Sequence, residues 1–307
     1  MIRNGQGRLR ELDAAPVTID ETPAFIPLDA HRMQVAIDRR CAGDDHSISW
    51  DARVVGATAS TNSDLLREAR EGRLFDRPVI LAAESQTAGR GRLGREWQSK
   101  PGASLTVSYA VRVRRRLAEL EGISLVCGLA LRDALGLHGL QVDLKWPNDV
   151  LVDGRKLAGI LVEAHALATS TVVIVGVGIN LLPLAFEEGF NETSDGTRAI
   201  VAIDLHSTGC RLEDRNVLAA ELAVALQKRL ARLAERGFRE FMAEWNAADA
   251  FRDRRVSFGT TADKAIRDTV CGIERGVDAG GGLLIEIDGR QQRFIAGDLS
   301  LRAIGAA

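Results

Sequence analysis

Residues 142–164 read VDLKWPNDVLVDGRKLAGILVEA, and this stretch indicates how the chain folds. It holds three short apolar runs, Val142–Trp146, Val150–Val152 and Lys156–Ala164, each of a length typical of β-strands. Asp153-Gly154 separates the last two, and an Asp-Gly pair between apolar runs is typical of a tight β-hairpin turn. The stretch therefore predicts strands that are paired by hairpins in a mixed or antiparallel sheet.

Further strands and helices are predicted on both sides of this hairpin in the sequence. Further strands are predicted at Arg53–Ala57, Pro78–Glu84, Ser104–Val113 and Thr171–Val177. Helices are predicted near Leu28–Arg40, at Asp64–Arg70, Leu117–Leu135, Glu213–Glu235 and Phe238–Ala247. Because hairpin-connected strands dominate, the predicted fold class is α+β, with a mixed, largely antiparallel sheet flanked by helices.

After Phe251 the pattern changes to short strands and glycine-rich turns. These strands are predicted at Val256–Gly259, Ala265–Glu274, Gly282–Asp288 and Arg290–Ala296, and roughly fifty residues of this kind predict a small SH3-like β-barrel. We therefore expect an N-terminal extension at 1–48, a large domain at 49–249 and the barrel at 250–307. The extension has charge, turn-formers and a single helix, which does not fit a helix-turn-helix domain.

Composition excludes several classes of protein. The chain has 307 residues, is 46% hydrophobic and has a formal net charge of -2, so the overall charge does not favour non-specific nucleic-acid binding. The start lacks the apolar region of a signal peptide, and no apolar run is long enough to cross a bilayer. The four cysteines are scattered without metal-ligand spacing. We expect a cytoplasmic protein with reduced thiols.

The segment 89–97 reads GRGRLGREW and carries three arginines and three glycines. It is too glycine-rich for a stable helix and too charged for a buried strand. Glycine lets the backbone approach a small anion, and arginine supplies forked donors that stay charged. A solvated basic loop is the alternative. We expect this segment to be mobile until an anion neutralises its arginines.

Three further segments carry polar chemistry at strand ends. Lys145–Val150 presents a lysine, an asparagine and an aspartate, although a simple strand-to-turn transition has the same pattern. Lys156 opens an otherwise apolar strand, where a lysine commonly keeps its ammonium in water. Gly176–Asn180 mimics the start of a dinucleotide fingerprint but lacks the third glycine and the following helix. No GxxxxGK[ST] segment is present, so a phosphate would be held mainly by side chains and metal.

Together these segments resemble the biotin protein ligases. The resemblance rests on five motifs in order: Ser60-Thr61-Asn62, the run from Gln86 to Trp97, Lys145-Trp146-Pro147-Asn148-Asp149, the run from Lys156 to Leu161, and Gly176–Asn180. It covers the chain from about residue 52 to the C-terminus, including Leu299–Arg302. It implies a class II synthetase-like catalytic domain followed by an SH3-like barrel. Because residues 1–48 do not look like a winged helix-turn-helix, the chain resembles the monofunctional ligases.

The resemblance implies a two-step, ATP-dependent reaction. Biotin's carboxylate attacks the α-phosphate of ATP to form biotinyl-5'-AMP, and a lysine ε-amine on a carboxylase biotin carrier domain then attacks this anhydride. Such chemistry needs fixed positive charge where negative charge builds up. The implied catalytic residues are Lys156, Arg90 and Asp149, and Mg2+ accompanies ATP without a dedicated protein site. Asp149 either deprotonates or orients the acceptor lysine, or it only caps a turn.

The resemblance also implies the residues that bind each substrate. Those expected to bind biotin are Ser60, Thr61, Asn62, Gln86, Arg90, Gly91, Arg92, Lys156 and Gly159. Those expected to bind ATP are Arg92, Arg95, Trp97, Lys145, Asn148, Asn180 and Arg302. The implied partner is the carrier domain, with no nucleic acid or membrane, and the chain is either a monomer or a homodimer. A lipoate–protein ligase and a biotin-responsive DNA-binding regulator are the alternatives.

Overall fold

The structure is a computed structural model, and it describes residues 26–42, 49–73, 75–183, 201–260, 270–295 and 299–303. Its helices are α1 (Ala30–Cys41), α2 (Thr61–Arg70), α3 (Ile123–Gly136), α4 (Arg215–Arg236) and α5 (Met242–Ala247). Its strands are β1 (Asp51–Thr58), β2 (Val79–Gln86), β3 (Ser104–Val113), β4 (Asp143–Lys145), β5 (Asp149–Val152), β6 (Arg155–Ala166), β7 (Thr171–Asn180), β8 (Arg255–Thr260), β9 (Val270–Val277), β10 (Leu283–Ile287), β11 (Arg290–Phe294) and β12 (Leu299–Ala303).

Seven strands form the central sheet, in the order β1-β2-β3-β7-β6-β5-β4. β1 pairs with β2 in parallel, and the other neighbouring strands are antiparallel. Asp153 and Gly154 join β5 to β6 with positive φ angles of 50° and 72°, which a tight hairpin turn of this kind requires. The predicted α+β class and the largely antiparallel sheet are confirmed.

Alternation along β7 gives the sheet two different faces. Val173, Val175 and Val177 belong to the large core that the sheet forms with α1, α3 and α4. Val172 and Ile174 point to the other face, where they join a smaller cluster with α2. The next two positions on this second face are glycines, so the apolar cluster ends there and space opens above the sheet.

The C-terminal strands form a second, five-stranded antiparallel sheet in the order β11-β10-β9-β8-β12. It is tied to the central sheet through β4. The Leu144 N–H donates to Ala248 O at 2.7 Å, and the Ala250 N–H donates to Leu144 O at 2.8 Å. The Trp146 Nε1–H donates to Gly281 O at 3.2 Å. The small C-terminal β-unit that the sequence predicts is therefore present and holds the strand that carries Lys145.

The long helix predicted over Leu117–Leu135 is wrong in its first part. The structure has a short 3-10 turn at Leu117–Glu119, and α3 begins only at Ile123. Gly122 separates the two with a φ of 70°, and a Cβ at this position would overlap the Phe238 side chain. The break thus depends on packing against a distant residue, which local periodicity does not reveal.

The N-terminal extension is described only in part. The helix predicted near Leu28–Arg40 is α1, whose cap Asp29 accepts a hydrogen bond from the Arg32 N–H at 2.8 Å. Residues 1–25 and 43–48 lie outside the described residues, so the absence of a helix-turn-helix stays a prediction. Among the described helices, none is both long and apolar enough to span a membrane.

Two carboxyl groups meet where the two sheets join. Glu274 on β9 is fully buried, and neither of its oxygens has a donor partner within the described part of the chain. Asp249 lies two residues after α5, and its Oδ2 atom is also buried without a hydrogen-bond partner among the described residues. Burial, together with the neighbouring Asp249 carboxylate, raises the pKa of Glu274, and burial also raises the pKa of Asp249. A proton on Glu274 turns one acceptor into a donor, so burial of the pair favours its protonated form.

We expect the free energy of unfolding to decrease less steeply with rising pH in Glu274→Gln than in the wild type. A folded carboxyl group with a raised pKa keeps a proton that the unfolded chain releases above about pH 4.3, so the free energy of unfolding decreases as pH rises toward the folded pKa. Glutamine keeps the shape and donates permanently. Urea unfolding should show a gain of up to about 1.4 kcal/mol per pH unit relative to wild type between about pH 5.5 and 8.

Glu286→Gln is the control, since it removes a partly exposed carboxylate from the neighbouring strand β10. It should leave the pH slope of the wild type unchanged. An equal slope for Glu274→Gln and wild type would show that Glu274 does not hold the proton.

Candidate functional site

Small residues on three adjacent strands form the floor of a pocket. The strand register places Thr106 of β3 beside Gly178 of β7, and Gly178 beside Gly159 of β6. Two residues away along each strand, Ser108 of β3 lies beside Gly176 of β7. These positions share the face that α2 covers further along, and their alternation with apolar core residues follows from the two-residue period of a strand. The sequence thus removes side-chain volume at one spot of the sheet.

An open cavity lies over this floor, and its empty volume, including open solvent at the mouth, is about 950 Å³. Of the residues predicted to carry chemistry, the following line it: Ser60, Thr61, Asn62, Gln86, Arg90, Gly91, Arg92, Arg95, Trp97, Lys145, Asn148, Asp149, Lys156 and Gly159. They come from the start of α2 with its cap, the 89–97 segment, strands β2, β4, β5 and β6, and the turn between β4 and β5. The structure therefore brings four separate sequence segments together at one site.

The N-terminus of α2 forms one polar wall. Ser60 caps this helix, and the next residue, Thr61, donates from its backbone N–H to Gln86 Oε1 at 2.9 Å. The Thr61 hydroxyl lies 2.7 Å from Ser108 Oγ, which donates to Asn62 Oδ1 at 2.8 Å. Because Ser60, Thr61 and Asn62 are all buried, this wall presents a few fixed polar atoms to a neutral ligand.

The 89–97 segment folds back on itself above the pocket. The Gly91 N–H donates to Arg95 O at 2.7 Å, and the Trp97 N–H donates to Gly89 O at 2.9 Å. A Cβ at Gly89 would overlap the Trp97 carbonyl oxygen, so this close approach requires glycine. The mobility expected for the segment before an anion binds stays a prediction.

The Trp97 side chain lies inside the cavity on the glycine floor. A Cβ at Gly178 would overlap the indole, and one at Gly159 would come within 3.2 Å of it. The indole Nε1–H is buried without a hydrogen-bond partner among the described residues. Lys156 Nζ lies 5.9 Å from the ring centre. Trp97 therefore occupies a flat, apolar slot that a ring-shaped ligand could share or take over.

Asp149 lies between two lysines at one end of the pocket. Its Oδ1 is 2.6 Å from Lys156 Nζ, and its Oδ2 is 3.2 Å from Lys145 Nζ. Burial opposes the ionisation of Asp149, but the two lysines outweigh it and lower the pKa of this carboxyl. Burial also lowers the pKa of Lys145. Each carboxylate oxygen thus holds one ammonium group in a fixed position.

The lining carries more positive than negative charge. It includes five cationic side chains (Arg90, Arg92, Arg95, Lys145 and Lys156) and two carboxylates (Glu96 and Asp149). Arg92 Nη1 donates to Asn148 Oδ1 at 3.4 Å, which ties the loop to the turn before β5. The described residues contain no cluster of three metal-ligating side chains. The pocket therefore has the charge of an anion site beside a neutral polar wall.

For two residues predicted to bind ATP, Asn180 and Arg302, the structure gives no contact with the pocket lining. Asn180 is buried outside the lining, and its Nδ2 donates to Ile203 O at 3.0 Å and to Lys156 O at 3.4 Å. These bonds hold Asn180 against the start of β6. That Asn180 binds ATP stays a prediction. Arg302 lies on β12, and its side chain is outside the part of the structure that is described.

Sequence reasoning missed several residues at the site. Glu163 of β6 binds Arg90 at 2.6 Å and Asn62 at 2.9 Å, and Ser108 connects Asn62 to Thr61. An acidic residue ending the apolar run of β6 was the available signal for Glu163. Ser108 gave a weaker one, because a serine on a buried strand reveals nothing until the strand register is known.

Known proteins match the part of the chain that contains these pocket-lining segments. A family model described as the Biotin/lipoate A/B protein ligase family matches residues 55–180. The bifunctional ligase/repressor BirA of Salmonella typhimurium is 36% identical over 278 residues, covering 90% of this chain and 79% of that protein.

The chain belongs to the biotin protein ligase family. A biotin--[acetyl-CoA-carboxylase] ligase of Mycobacterium tuberculosis is 34% identical to it over 282 residues, covering 88% of this chain and 98% of the relative. The fold is that of a biotin protein ligase from Aquifex aeolicus solved with biotin and ATP. The two structures superpose with a TM-score of 0.65 at 24% identity, over 83% of this chain and 99% of the other.

We expect Gly178→Ala to displace Trp97 of this biotin protein ligase from its slot. The added Cβ overlaps the indole, and the shortest relief is for Trp97 and its loop to move outward. Tryptic cleavage within the loop, after Arg92 or Arg95, should become at least about fivefold faster, because a displaced loop exposes its backbone. Gly56→Ala on β1 is the matched control, since a Cβ there meets nothing within 4 Å. Unchanged cleavage of Gly178→Ala would contradict the placement of the indole.

Proposed function

We propose that this chain activates biotin with ATP to biotinyl-5'-AMP and transfers the biotinyl group to a lysine of a carboxylase carrier domain. In the first step a biotin carboxylate oxygen bonds to the α-phosphorus and pyrophosphate leaves. In the second step the lysine amine bonds to the biotinyl carbonyl carbon, AMP leaves and the amine loses a proton. The observation that carries the proposal is the pocket, which joins a neutral polar wall to a group of cations.

The neutral part of the pocket fits the fused rings of biotin. We assign the ureido group to Ser60, Thr61 and Gln86, whose polar atoms are fixed by the start of α2. The flat floor of glycines then accepts the rings. Because the Trp97 indole lies on this floor, binding requires the indole to move or to stack on the rings. Asn62, Gly91 and Gly159 complete the proposed biotin site.

The charged part of the pocket fits the reacting groups. Bringing a carboxylate to a triphosphate requires fixed cations, because both reactants are anionic. Lys156 is held by Asp149 next to the indole slot, and we assign it to the biotin carboxylate and the α-phosphate. Arg90 and Arg92 would hold carboxylate and phosphate from the loop side.

The remaining predicted contacts belong to the nucleotide. We assign Arg95, Lys145 and Asn148 to ATP, since they also line the pocket. Magnesium, when bound, neutralises part of the phosphate charge. Because the described residues offer no three-ligand cluster, we propose that the phosphates and water hold most of its coordination sphere.

Partner and location follow from the same proposal. The acceptor is a carrier domain of a biotin-dependent carboxylase, and the reaction is placed in the cytoplasm. Residues 49–249 form the proposed catalytic domain, and residues 250–307 form the proposed C-terminal barrel.

Label transfer tests the function directly. Purified protein, ATP, magnesium, labelled biotin and an apo-carrier domain should give a labelled carrier, whereas lipoate should not replace biotin. Lys156→Ala should lower the rate by at least about 100-fold, as the loss of one charge that stabilises a transition state commonly does. Lys228→Ala, on the exposed side of α4, should retain the wild-type rate. Lack of transfer by the wild type, or an undiminished rate in Lys156→Ala, would refute the assignment.

Asp149 is proposed to orient Lys156 and not to act as a base. Both of its oxygens are held by ammonium groups and its pKa is lowered, so it is a poor proton acceptor near neutral pH. Asp149→Asn should therefore slow biotin-dependent pyrophosphate exchange by about tenfold or more, because Lys156 loses a charged partner.

The second half-reaction separates the two roles. Transfer from preformed biotinyl-5'-AMP should slow less than pyrophosphate exchange in Asp149→Asn. A variant with normal exchange and slow transfer would instead assign Asp149 to the acceptor lysine.

A further inference from the structure

Glu163 of β6 lies beside the pocket and contacts two residues that line it. Its Oε2 atom accepts a hydrogen bond from Arg90 Nη2 at 2.6 Å and another from Asn62 Nδ2 at 2.9 Å. The Glu163 side chain is only 21% exposed, so water screens these contacts incompletely. One carboxylate thus connects the loop above the pocket to its buried wall.

The contact with Asn62 fixes the direction of a buried amide. Asn62 Nδ2 also donates to Leu161 O at 3.3 Å, and Asn62 Oδ1 accepts from Ser108 Oγ at 2.8 Å. Because an ionised carboxylate only accepts hydrogen bonds, Glu163 requires the NH2 end of the amide to face it. The oxygen end must then face Ser108, whose hydroxyl also contacts Thr61.

The contact with Arg90 fixes a loop cation. Arg90 belongs to a glycine-rich segment, and its side chain is 42% exposed, so without a partner it would sample many rotamers. The recorded bond to Glu163 uses Nη2, and the guanidinium has other N–H donors in the same plane. The ion pair therefore holds the guanidinium at the edge of the cavity and leaves donors that a bound carboxylate can use.

We propose that Glu163 is a positioning residue for biotin, which fixes the Asn62 amide and the Arg90 guanidinium in the orientations that receive the vitamin. The proposal rests on the proposed function, since it takes biotin as the ligand. If Glu163 instead competed with the biotin carboxylate for Arg90, the same ion pair would weaken biotin binding. Competition would make biotin bind more tightly when Glu163 is neutralised, whereas positioning makes it bind more weakly.

Glu163→Gln distinguishes positioning from competition, because it keeps the size of the side chain and removes its charge. We expect the KM for biotin to rise about tenfold, as the loss of a charged hydrogen-bond partner commonly produces, while kcat and the KM for ATP change less than about twofold. By calorimetry, biotin should bind about tenfold more weakly. Its neutral carboxamide should also lose affinity, but by a smaller factor, since it uses the Asn62 wall and offers no carboxylate to Arg90.

Two further variants complete the experiment. Glu163→Asp keeps the charge but withdraws the carboxylate by one methylene, so it should show the same selective rise in the KM for biotin and guards against misfolding of the first variant. Glu68→Gln is the matched control: its side chain is 22% exposed and pairs with Arg53 at 3.1 Å, outside the pocket lining. It should retain wild-type constants.

The outcomes separate this proposal from the one on which it rests. A wild type that binds no biotin refutes both. A wild type that binds biotin, with Glu163 variants that bind it equally well or more tightly, refutes only the positioning role. An equal loss of biotin affinity in Glu68→Gln would also refute the positioning role, since the effect would then not be specific to the pocket.

Discussion

The pocket depends on the register of three antiparallel strands. Thr106, Gly178 and Gly159 lie side by side only because β3, β7 and β6 pair as they do. A slip of one residue would turn the valines of β7 into the pocket and its glycines into the core, which the burial of apolar surface opposes. The hydrophobic effect on one face of the sheet therefore fixes the empty space on the other, and the loop and α2 close around that space.

Charge is arranged around this space in pairs. Asp149 separates two lysines that would otherwise repel each other, and Glu163 holds Arg90 against the wall. Each carboxylate thus stabilises cations while the pocket keeps a net positive charge. Groups fixed in this way need little reorganisation when an anionic substrate arrives, which is the main physical source of catalysis by charge.

The C-terminal sheet contributes to the site through β4. Backbone bonds to Leu144 and the bond from Trp146 to Gly281 hold both neighbours of Lys145. Glu274, whose pKa is raised by burial, lies at the same junction, and the positive charge of Lys145 opposes that rise. The two sheets therefore share one polar junction next to the pocket.

The sequence by itself determined the local structure and the segments of the site. Asp153-Gly154 specifies a hairpin because a tight turn depends on adjacent residues. The sequence motifs also supply nearly all of the pocket lining. Only the tertiary structure decided that Gly122 interrupts a helix, that Asn180 braces β6 and that Glu163 binds Arg90 and Asn62. The partners in these contacts are distant in the chain, so their meeting depends on strand register and packing, which no local pattern encodes.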